Sequence, residues 1–388
     1  MAVDMFLNLE RVNGKSKDKT SSALPRYNPR KMAILSSLAM LSFSISTLGK
    51  DNDGQILPFV PLTVSTVPAN GDVNPYGVAG VPRTQGRLVE GNFLVSNFND
   101  AANQQGTGTT IVQMQPNGSM QLFAQIDPSM VSCPGGVGLT TALVALRSGF
   151  VVVGSLPTTD GTAATAKAGC LLVLDSNGKV VKTISGHHLN GPWDMTAVDV
   201  GEVFVLFVTN VLNGTVAGGG NIVNEGTVVR LLFVVDDGAP QLINSSVIAS
   251  GFPERTDPAA LVIGPTGVAF DWKTGDLLVA DSLDNRIAAI PNALFRTQVA
   301  GKGRTVSAGG ALNDPLGASL FGSNLYVANG NDGNIVQVNI RTGKQVDVDL
   351  VDSSGGPPPG AGALFGLWAL SGEVYFVDDA TNTFNLLH

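Results

Sequence analysis

The chain has 388 residues, of which 44% are hydrophobic and only 14% are charged. Its 47 glycines and 21 prolines favour many short strands joined by tight turns over helices. Residues 1–50 carry eight basic and three acidic residues; subtracting these from the totals of 23 and 31 leaves 15 and 28 in residues 51–388. A body with this excess of acid repels phosphate, which argues against nucleic acid as a partner and against strong membrane association.

The first 50 residues form a basic leader with an apolar segment. Residues 1–31 are polar and basic, and residues 32–49 are apolar and contain five serines. This order, with the small residues Thr47 and Gly49 at its end, is typical of a secretory signal. An uncleaved anchor is the alternative, although 18 residues are marginal for spanning a bilayer. We expect a mature chain that begins near residue 50 and is extracytoplasmic, either periplasmic or secreted.

A unit of three short strand signals occupies residues 264–291. Gly267–Phe270 is rich in β-forming residues, Asp276–Ala280 is an apolar run, and Arg286–Ile290 follows a second turn. Weaker copies of this unit recur along the chain. The most regular mark of each copy is the short sequence at the end of its second strand. The marks end at Asn97, Ser155, Asn210, Asp281, Asn329 and Asp378. Their spacings of 58, 55, 71, 48 and 49 residues indicate a propeller of six blades.

Five of the six copies show four strand signals, whereas the last ends after its third strand, Thr383–Leu387. An unpaired third strand would expose a long edge, which proteins avoid. A leftover strand near residues 60–67 can supply the missing partner. The sequence therefore predicts an all-β fold over residues 51–388. It is a six-bladed β-propeller of four-stranded antiparallel blades, closed by an N-terminal strand.

The central unit resembles an NHL-repeat blade. The matching residues are Gly264-Pro265, Gly267-Val268-Ala269, Gly275, Leu277–Asp281, Asn285 and Arg286-Ile287. The resemblance is to bacterial exported NHL-repeat propellers, and it implies the fold. It implies no activity, because the repeat residues are mostly turn and packing residues and related propellers range from lactonases and lyases to interaction modules.

The chain is also similar, at the level of the fold, to gluconolactonase-like propellers. That family carries a metal-bound acid at the opening of an early inner strand. The corresponding place here reads Asn74-Pro75-Tyr76-Gly77 and has no acid. This departure argues against a lactonase.

Three long loops separate second from third strands, at Asn99–Gly108, Leu156–Gly169 and Val211–Gly226. In an antiparallel meander all three lie on the face where the first strands begin. Insertions on one face of a repeat protein often form the binding face. We expect a small molecule or a protein to bind there, with tolerated surface loops as the alternative interpretation.

The oxygen-bearing residues at the six strand ends allow two interpretations. They could bind a hard cation such as calcium at the channel mouth, or each could hydrogen-bond the turn that follows it. The second is favoured because second strands lie about 4.8 Å outside the innermost ones. The residues nearest the axis on that face are Pro75, Val137, Trp193, Pro265, Pro315 and Leu364, and Asp194 is the one acid beside them.

Histidine and cysteine are scarce. His187 and His188 are neighbours and would face opposite ways on a strand, so a histidine-based site is poorly supported, and His188 with Asp194 is a weak candidate pair. Cys133 and Cys170 could form a disulfide in an exported chain or remain buried thiols.

Two functions compete, beside a purely structural or envelope-associated role that the sequence does not separate from the first of them. The first is a non-catalytic binding module, and the second is a metal-dependent, lactonase-like hydrolase or lyase with a cation at the channel mouth. No catalytic residue is assigned, and the cofactor is left open, with calcium as the candidate. The candidate ligand-binding residues are Asn97, Asn210, Asp281, Asn329, Asp378, Asp194, Trp193 and His188.

Overall fold

A computed structural model describes residues 62–236 and 238–387. The leader, the predicted cleavage point near residue 50, and residues 51–61 lie outside the described residues. Within the described ranges there is no helix that is long and apolar enough to cross a membrane. The α-helical content there is a single turn, α1 (Thr215–Gly218).

Strands make up nearly all of the regular structure. In chain order they are β1 (Val64–Ser65), β2 (Val73–Gly80), β3 (Phe93–Asn99), β4 (Thr110–Met114), β5 (Met120–Gln125), β6 (Leu139–Ala145), β7 (Val151–Ser155), β8 (Cys170–Leu174), β9 (Val180–Ile184), β10 (Pro192–Asp199), β11 (Val203–Asn210), β12 (Val223–Val234), β13 (Gln241–Asp257), β14 (Leu261–Ile263), β15 (Pro265–Asp271), β16 (Asp276–Asp281), β17 (Arg286–Ile290), β18 (Arg304–Ala308), β19 (Pro315–Phe321), β20 (Asn324–Asn329), β21 (Asn334–Asn339), β22 (Gln345–Leu350), β23 (Leu364–Leu370), β24 (Glu373–Asp378) and β25 (Thr383–Leu387).

These strands form six antiparallel sheets, one for each predicted blade. Blades one to five begin with β2, β6, β10, β15 and β19, and blade six consists of β23, β24, β25 and β1. Apolar side chains of neighbouring blades pack face to face, as where Val173 of blade two shares a core with Phe204 and Phe233 of blade three. The predicted all-β, six-bladed propeller is confirmed.

The two ends of the chain close the ring. Val64 pairs with Phe384, Ser65 pairs with Thr383, and the sheet order runs β1-β25-β24-β23. The Thr66 N–H then donates to the Asn382 carbonyl at 3.0 Å. The predicted closure by an N-terminal strand is confirmed, with a ladder of two residues where the sequence suggested a longer one.

Blade three departs from the four-stranded pattern. Its β12 and β13 have 12 and 17 residues, and the end of β13 folds back on β14 as a fifth strand. We call residues 250–263 the β13–β14 hairpin. The sequence pattern did not predict this hairpin, because Gly251, Pro253 and three charged residues interrupt the strand pattern there. It also assigned 211–226 wholly to a loop, whereas α1 and the start of β12 occupy part of that range.

Candidate functional site

An aromatic cluster fills the propeller axis on the long-loop side. Tyr76 stacks on Phe98 at 4.5 Å and on Phe365 at 3.9 Å between ring centroids, and Trp193 meets Tyr76 edge-on at 5.9 Å. All four side chains are at most 4% exposed. We call them the aromatic plug. Because blades one, three and six each contribute a ring, the plug exists only when the propeller is closed.

The β13–β14 hairpin lies over the plug. Leu261 and Val262 are 1% exposed and belong to the same apolar cluster. At the hairpin tip, the Gln105 side chain donates to the Pro258 and Ala259 carbonyls, each at 3.2 Å. The hydroxyl of Thr158, from the second long loop, donates to the Gln105 carbonyl.

The third long loop reaches the same place from the other side. There the Asn213 N–H donates to Glu254 of the hairpin at 2.9 Å. The long loops therefore meet on one face, as predicted, and together with the hairpin they cover the axis there.

The other half of the axis is open. A cavity of about 470 Å³ is lined by all six innermost strands and by turns that follow them. We call it the channel. It stays open because many inward positions carry no bulky side chain. The small lining residues are Gly80, Ala145, Ala197, Ala269, Gly317, Ala318, Gly366 and Ala369. A volume of this size suits a small-molecule ligand.

Asp194 lines the channel at a position where other blades carry glycine. The paired positions after the bulge in each inner strand align it with Gly77, Gly267, Gly317 and Gly366. Its Oδ1 accepts the Met195 N–H at 2.7 Å, and the N–H of Val268 in blade four also donates to its carboxyl. Burial raises the pKa of Asp194 well above its usual range, and these two hydrogen bonds oppose the shift. Protein surrounds the carboxyl, yet part of it faces the lumen.

Exposed apolar side chains surround part of the channel mouth. Val200, Trp272, Phe321 and Leu370 lie at or just after the ends of the inner strands of blades three to six, and Trp272 is 60% exposed. We call these four residues the apolar rim. On the blade-two side, Arg147 lines the mouth, and its N–H donates to Asp199 at 2.6 Å. An apolar ligand would therefore pass an apolar surface on its way in.

The predicted ring of strand-end residues does not line the channel. Asn97, Asn210, Asp281 and Asn329 are fully buried, and Asp378 is 7% exposed. Asn210 accepts the Asn190 N–H at 3.0 Å, and Asn329 accepts the Asn313 N–H at 3.1 Å.

Ser155 and Asn97 also hydrogen-bond the backbone of the segment before the first strand of their own blade. Ser155 accepts the Gly138 N–H at 3.0 Å, and Asn97 donates to the Thr66 carbonyl at 3.1 Å. Each of these contacts holds the segment that leads into the first strand of a blade. The four side chains that make them are Asn97, Ser155, Asn210 and Asn329. The predicted contacts with the following turn are made by Asp378, which accepts the Thr381 N–H at 3.0 Å, and by Asn329, which also donates to Asp332 at 2.9 Å.

Asp281 instead forms a buried ion pair. Its Oδ2 lies 2.7 Å from the Nε of Arg286, and the two side chains are 0% and 10% exposed. Burial raises the pKa of Asp281 to about 6, although Arg286 opposes the shift. The guanidinium also donates to Thr305 at 3.0 Å and to the Lys302 carbonyl at 2.7 Å. Asp281 thus holds the turn between β16 and β17 and the edge of β18 together.

Replacing Asp281 by Ala should destabilise the protein by about 2 kcal/mol, because Arg286 loses a buried partner but keeps two others. Thermal denaturation measures the loss, and Asp284→Ala, which removes a carboxylate 36% exposed near the same Arg286, is the control. Calcium content measured in parallel should not change. Lost calcium with unchanged melting would overturn the structural role.

The remaining sequence candidates, Trp193, His188 and Asp194, lie in three different places. Trp193 belongs to the plug. His188 is exposed in the turn 186–189, with a φ of 66°, whereas Asp194 faces the channel. No hydrogen bond or ion pair joins His188 to Asp194 within the described part of the chain. The structure does not bring this candidate pair together, because His188 is exposed to solvent in the turn that ends at Leu189.

Cys133 and Cys170 are joined by a disulfide, with their Cα atoms 5.5 Å apart. The bond links the segment before β6 to the third strand of blade two. This is one of the two arrangements that the sequence left open.

Buried oxygen atoms also lie beside the plug. Tyr76 Oη, Asn74 Oδ1 and Asp314 Oδ1 have no hydrogen-bond partner among the described residues. Burial raises the pKa of Asp314 to about 6 and that of Asp379 to about 7, with added repulsion from Asp257 and Asp378 respectively. Across 62–236 and 238–387, however, no group of three or more His, Cys, Asp or Glu has the geometry to hold a metal ion.

No family model matches the chain, and no curated protein matches it. Among solved structures, a luciferin-regenerating enzyme is 12% identical, with 84% of this chain and 94% of that chain covered and a TM-score of 0.51. A presumed gluconolactonase is 14% identical over 85% and 93% of the two chains, with a TM-score of 0.47. A presumed oxidoreductase (glucose dehydrogenase) from Thermus thermophilus is 15% identical over 84% and 100%, with a TM-score of 0.48.

At these identities the likeness shows the fold alone. Membership of the NHL-repeat family stays a prediction.

Proposed function

We propose that the chain is a non-catalytic propeller that binds a small molecule in its channel, from the face opposite the long loops. The observation that supports this proposal most directly is the channel itself, about 470 Å³ in volume and lined mainly by small and apolar residues. The plug and hairpin cover the axis on the long-loop face, where we had expected the ligand. That face remains our proposed surface for a protein partner.

Filling the channel should weaken this binding. Ala197→Trp places an indole among the lining residues, and we expect it to weaken binding of the neutral fluorescent probe Nile red at least about tenfold, because the ligand space is lost. Fluorescence titration measures the affinity. Val181→Trp, on the exposed face of β9, adds the same side chain away from the channel as a control. A folded Ala197→Trp protein that binds the probe as the unmodified chain does would refute the proposal.

A metal-dependent hydrolase or lyase is the second candidate function. The buried Asn74 Oδ1 and Asp314 Oδ1 atoms, which lack hydrogen-bond partners, are oxygen ligands of the kind that calcium takes, although the described residues contain no cluster of three or more acidic, histidine or cysteine ligands. Elemental analysis of the purified protein tests it. One calcium ion per chain, lost on Asp314→Asn replacement, would favour this function over simple binding.

We also propose that the chain acts outside the cytoplasm. The basic and apolar leader supports this location, and the disulfide between Cys133 and Cys170 suits an oxidising compartment. N-terminal sequencing of protein from envelope and medium fractions tests it. Intact protein that begins at Met1 and is recovered from the cytoplasm would refute it.

A further inference from the structure

The channel has a chemical preference as well as a volume. We infer that its ligand is an apolar amine, whose ammonium group pairs with Asp194 and whose apolar body lies between the aromatic side chains nearer the mouth. This inference rests on the proposed function, since it names the ligand class of the same channel. Four observations support it, and they concern the position of the carboxyl, its lack of a counter-ion, its aromatic surroundings and the charge of the whole body.

The carboxyl is placed where the fold does not require one. Four of the other five inner strands have glycine at the aligned position, and a Cβ on Gly77, Gly267, Gly317 or Gly366 would collide with the neighbouring inner strand. Blade three alone among the described blades carries a charged side chain there. The strand pairing of its β10 is otherwise like that of the rest, with the same bulge. Asp194 is therefore an addition to the repeat and not a part of it.

The carboxyl also lacks a counter-ion. Among the described residues that line the channel, the charged ones are Asp194, Asp199 and Arg147. Asp199 lies at the mouth, where its side chain accepts the Arg147 and Gly201 N–H groups at 2.6 and 2.8 Å. No ion pair to Asp194 is present in the part of the chain that the structure describes. Its own contacts are the two backbone N–H groups, which leave lone pairs for a donor in the lumen.

The walls suit the rest of such a molecule. Phe93, Phe270, Trp272 and Trp368 all line the channel, and Trp272 meets Phe270 edge-on at 5.2 Å. Aromatic faces attract ammonium groups as well as hydrocarbon. The apolar rim lets the hydrocarbon part enter without crossing a polar surface. The acidic body, with 15 basic and 28 acidic residues in 51–388, also raises the local concentration of cations.

Binding is linked to a proton. Burial raises the pKa of Asp194, so the empty channel favours the neutral carboxyl. When an ammonium ion arrives, Asp194 releases its proton to solvent and the carboxylate pairs with the cation. The balance is one proton released for each ammonium ion that binds to a protein molecule whose Asp194 is protonated. Affinity should therefore rise with pH until Asp194 is ionised in the free protein.

Other ligand classes would behave differently. An apolar carboxylate would bring a second acid beside Asp194, which disfavours the charged form of both. An apolar alcohol could accept a hydrogen bond from the neutral carboxyl, with no proton released. The amine, alcohol and carboxylate of one chain length therefore separate the possibilities.

The test is displacement of Nile red by n-hexylamine, n-hexanol and n-hexanoate at pH 7. We expect n-hexylamine to bind at least about tenfold more tightly than n-hexanol, and n-hexanoate to bind least. Asp194→Asn should remove the advantage of the amine. Asp284→Asn, which deletes the same charge from the surface, should keep it. Calorimetry in two buffers of different ionisation enthalpy, repeated at several pH values, should report at most one proton released per amine, and fewer protons as the pH rises.

Different outcomes contradict the amine class of the ligand and binding in the channel. Equal binding of n-hexylamine and n-hexanol, or an advantage of the amine that Asp194→Asn leaves intact, would overturn the amine class while leaving channel binding intact. Failure of Nile red to bind the unmodified protein would refute channel binding itself. If Asp194→Asn does not fold, the three-ligand comparison in the unmodified protein still decides the ligand class.

Discussion

A chain that begins at residue 69 is expected to melt on the order of 10 °C below one that begins at residue 51 and to aggregate at concentrations where the longer chain stays soluble. The missing residues include β1, the strand that completes blade six. Without it, β25 becomes an open edge along Thr383–Leu387. The two ends of the chain also lose the contact that closes the ring, so any neighbouring pair of blades can separate more easily.

The contacts that are lost can be named. The Thr66 N–H and hydroxyl donate to the Asn382 carbonyl at 3.0 and 3.1 Å, and the Asn97 side chain donates to the Thr66 carbonyl at 3.1 Å. Leu62 and Val64 pack against the apolar cluster that contains Phe384. At roughly 1 kcal/mol for each hydrogen bond, with the apolar packing added, the loss is on the order of 4 kcal/mol.

A chain that begins at residue 62 is the matched control, because it keeps every one of these contacts and lacks only residues 51–61. Thermal denaturation and light scattering should place it with the longer chain. If the chains that begin at 62 and 69 melt together, β1 does not hold the ring closed.

Much of the fold could be predicted from local sequence. Apolar runs of about five residues bounded by glycine, asparagine and aspartate mark most strands, and they recur near a period of 50. The closure could also be predicted, because the last blade lacks a fourth strand and the first strand of the chain has no other blade to join. The β13–β14 hairpin could not be predicted, since Gly251 and Pro253 resemble a strand end, and its pairing with β14 depends on packing against the distant plug.

The candidate site was predicted less well, for a physical reason. The plug joins Tyr76, Phe98, Trp193 and Phe365, whose spacings along the chain say nothing about their meeting at the axis. The sequence placed Asp194 beside the axis and pointed to the long-loop face, whereas the open cavity that Asp194 lines lies on the opposite side of the plug. Whether an axis is filled or open depends on the size of every inward side chain at one level. That property becomes visible only when six strands are brought together.

Gly366→Ala is expected to cost about 3–4 kcal/mol, because the added methyl group has no room between two innermost strands. A Cβ on Gly366 would lie far inside van der Waals contact with the Tyr76 carbonyl oxygen of blade one. Both partners are backbone on innermost strands, so no flexible side chain can move aside. Relief requires the first and last blades to separate, which works directly against the ring closure.

The plug makes that strain harder to avoid. Phe365, next to Gly366, stacks on Tyr76 with 3.9 Å between ring centroids, so moving either strand also breaks this aromatic contact. Gly238→Ala is the control, because a Cβ there meets open space. Chemical denaturation of both variants measures the difference in the free energy of unfolding, and Nile red binding shows whether the substitution also changes the channel. If Gly366→Ala were as stable as Gly238→Ala, the inner strands of blades one and six would have to lie farther apart than the structure places them.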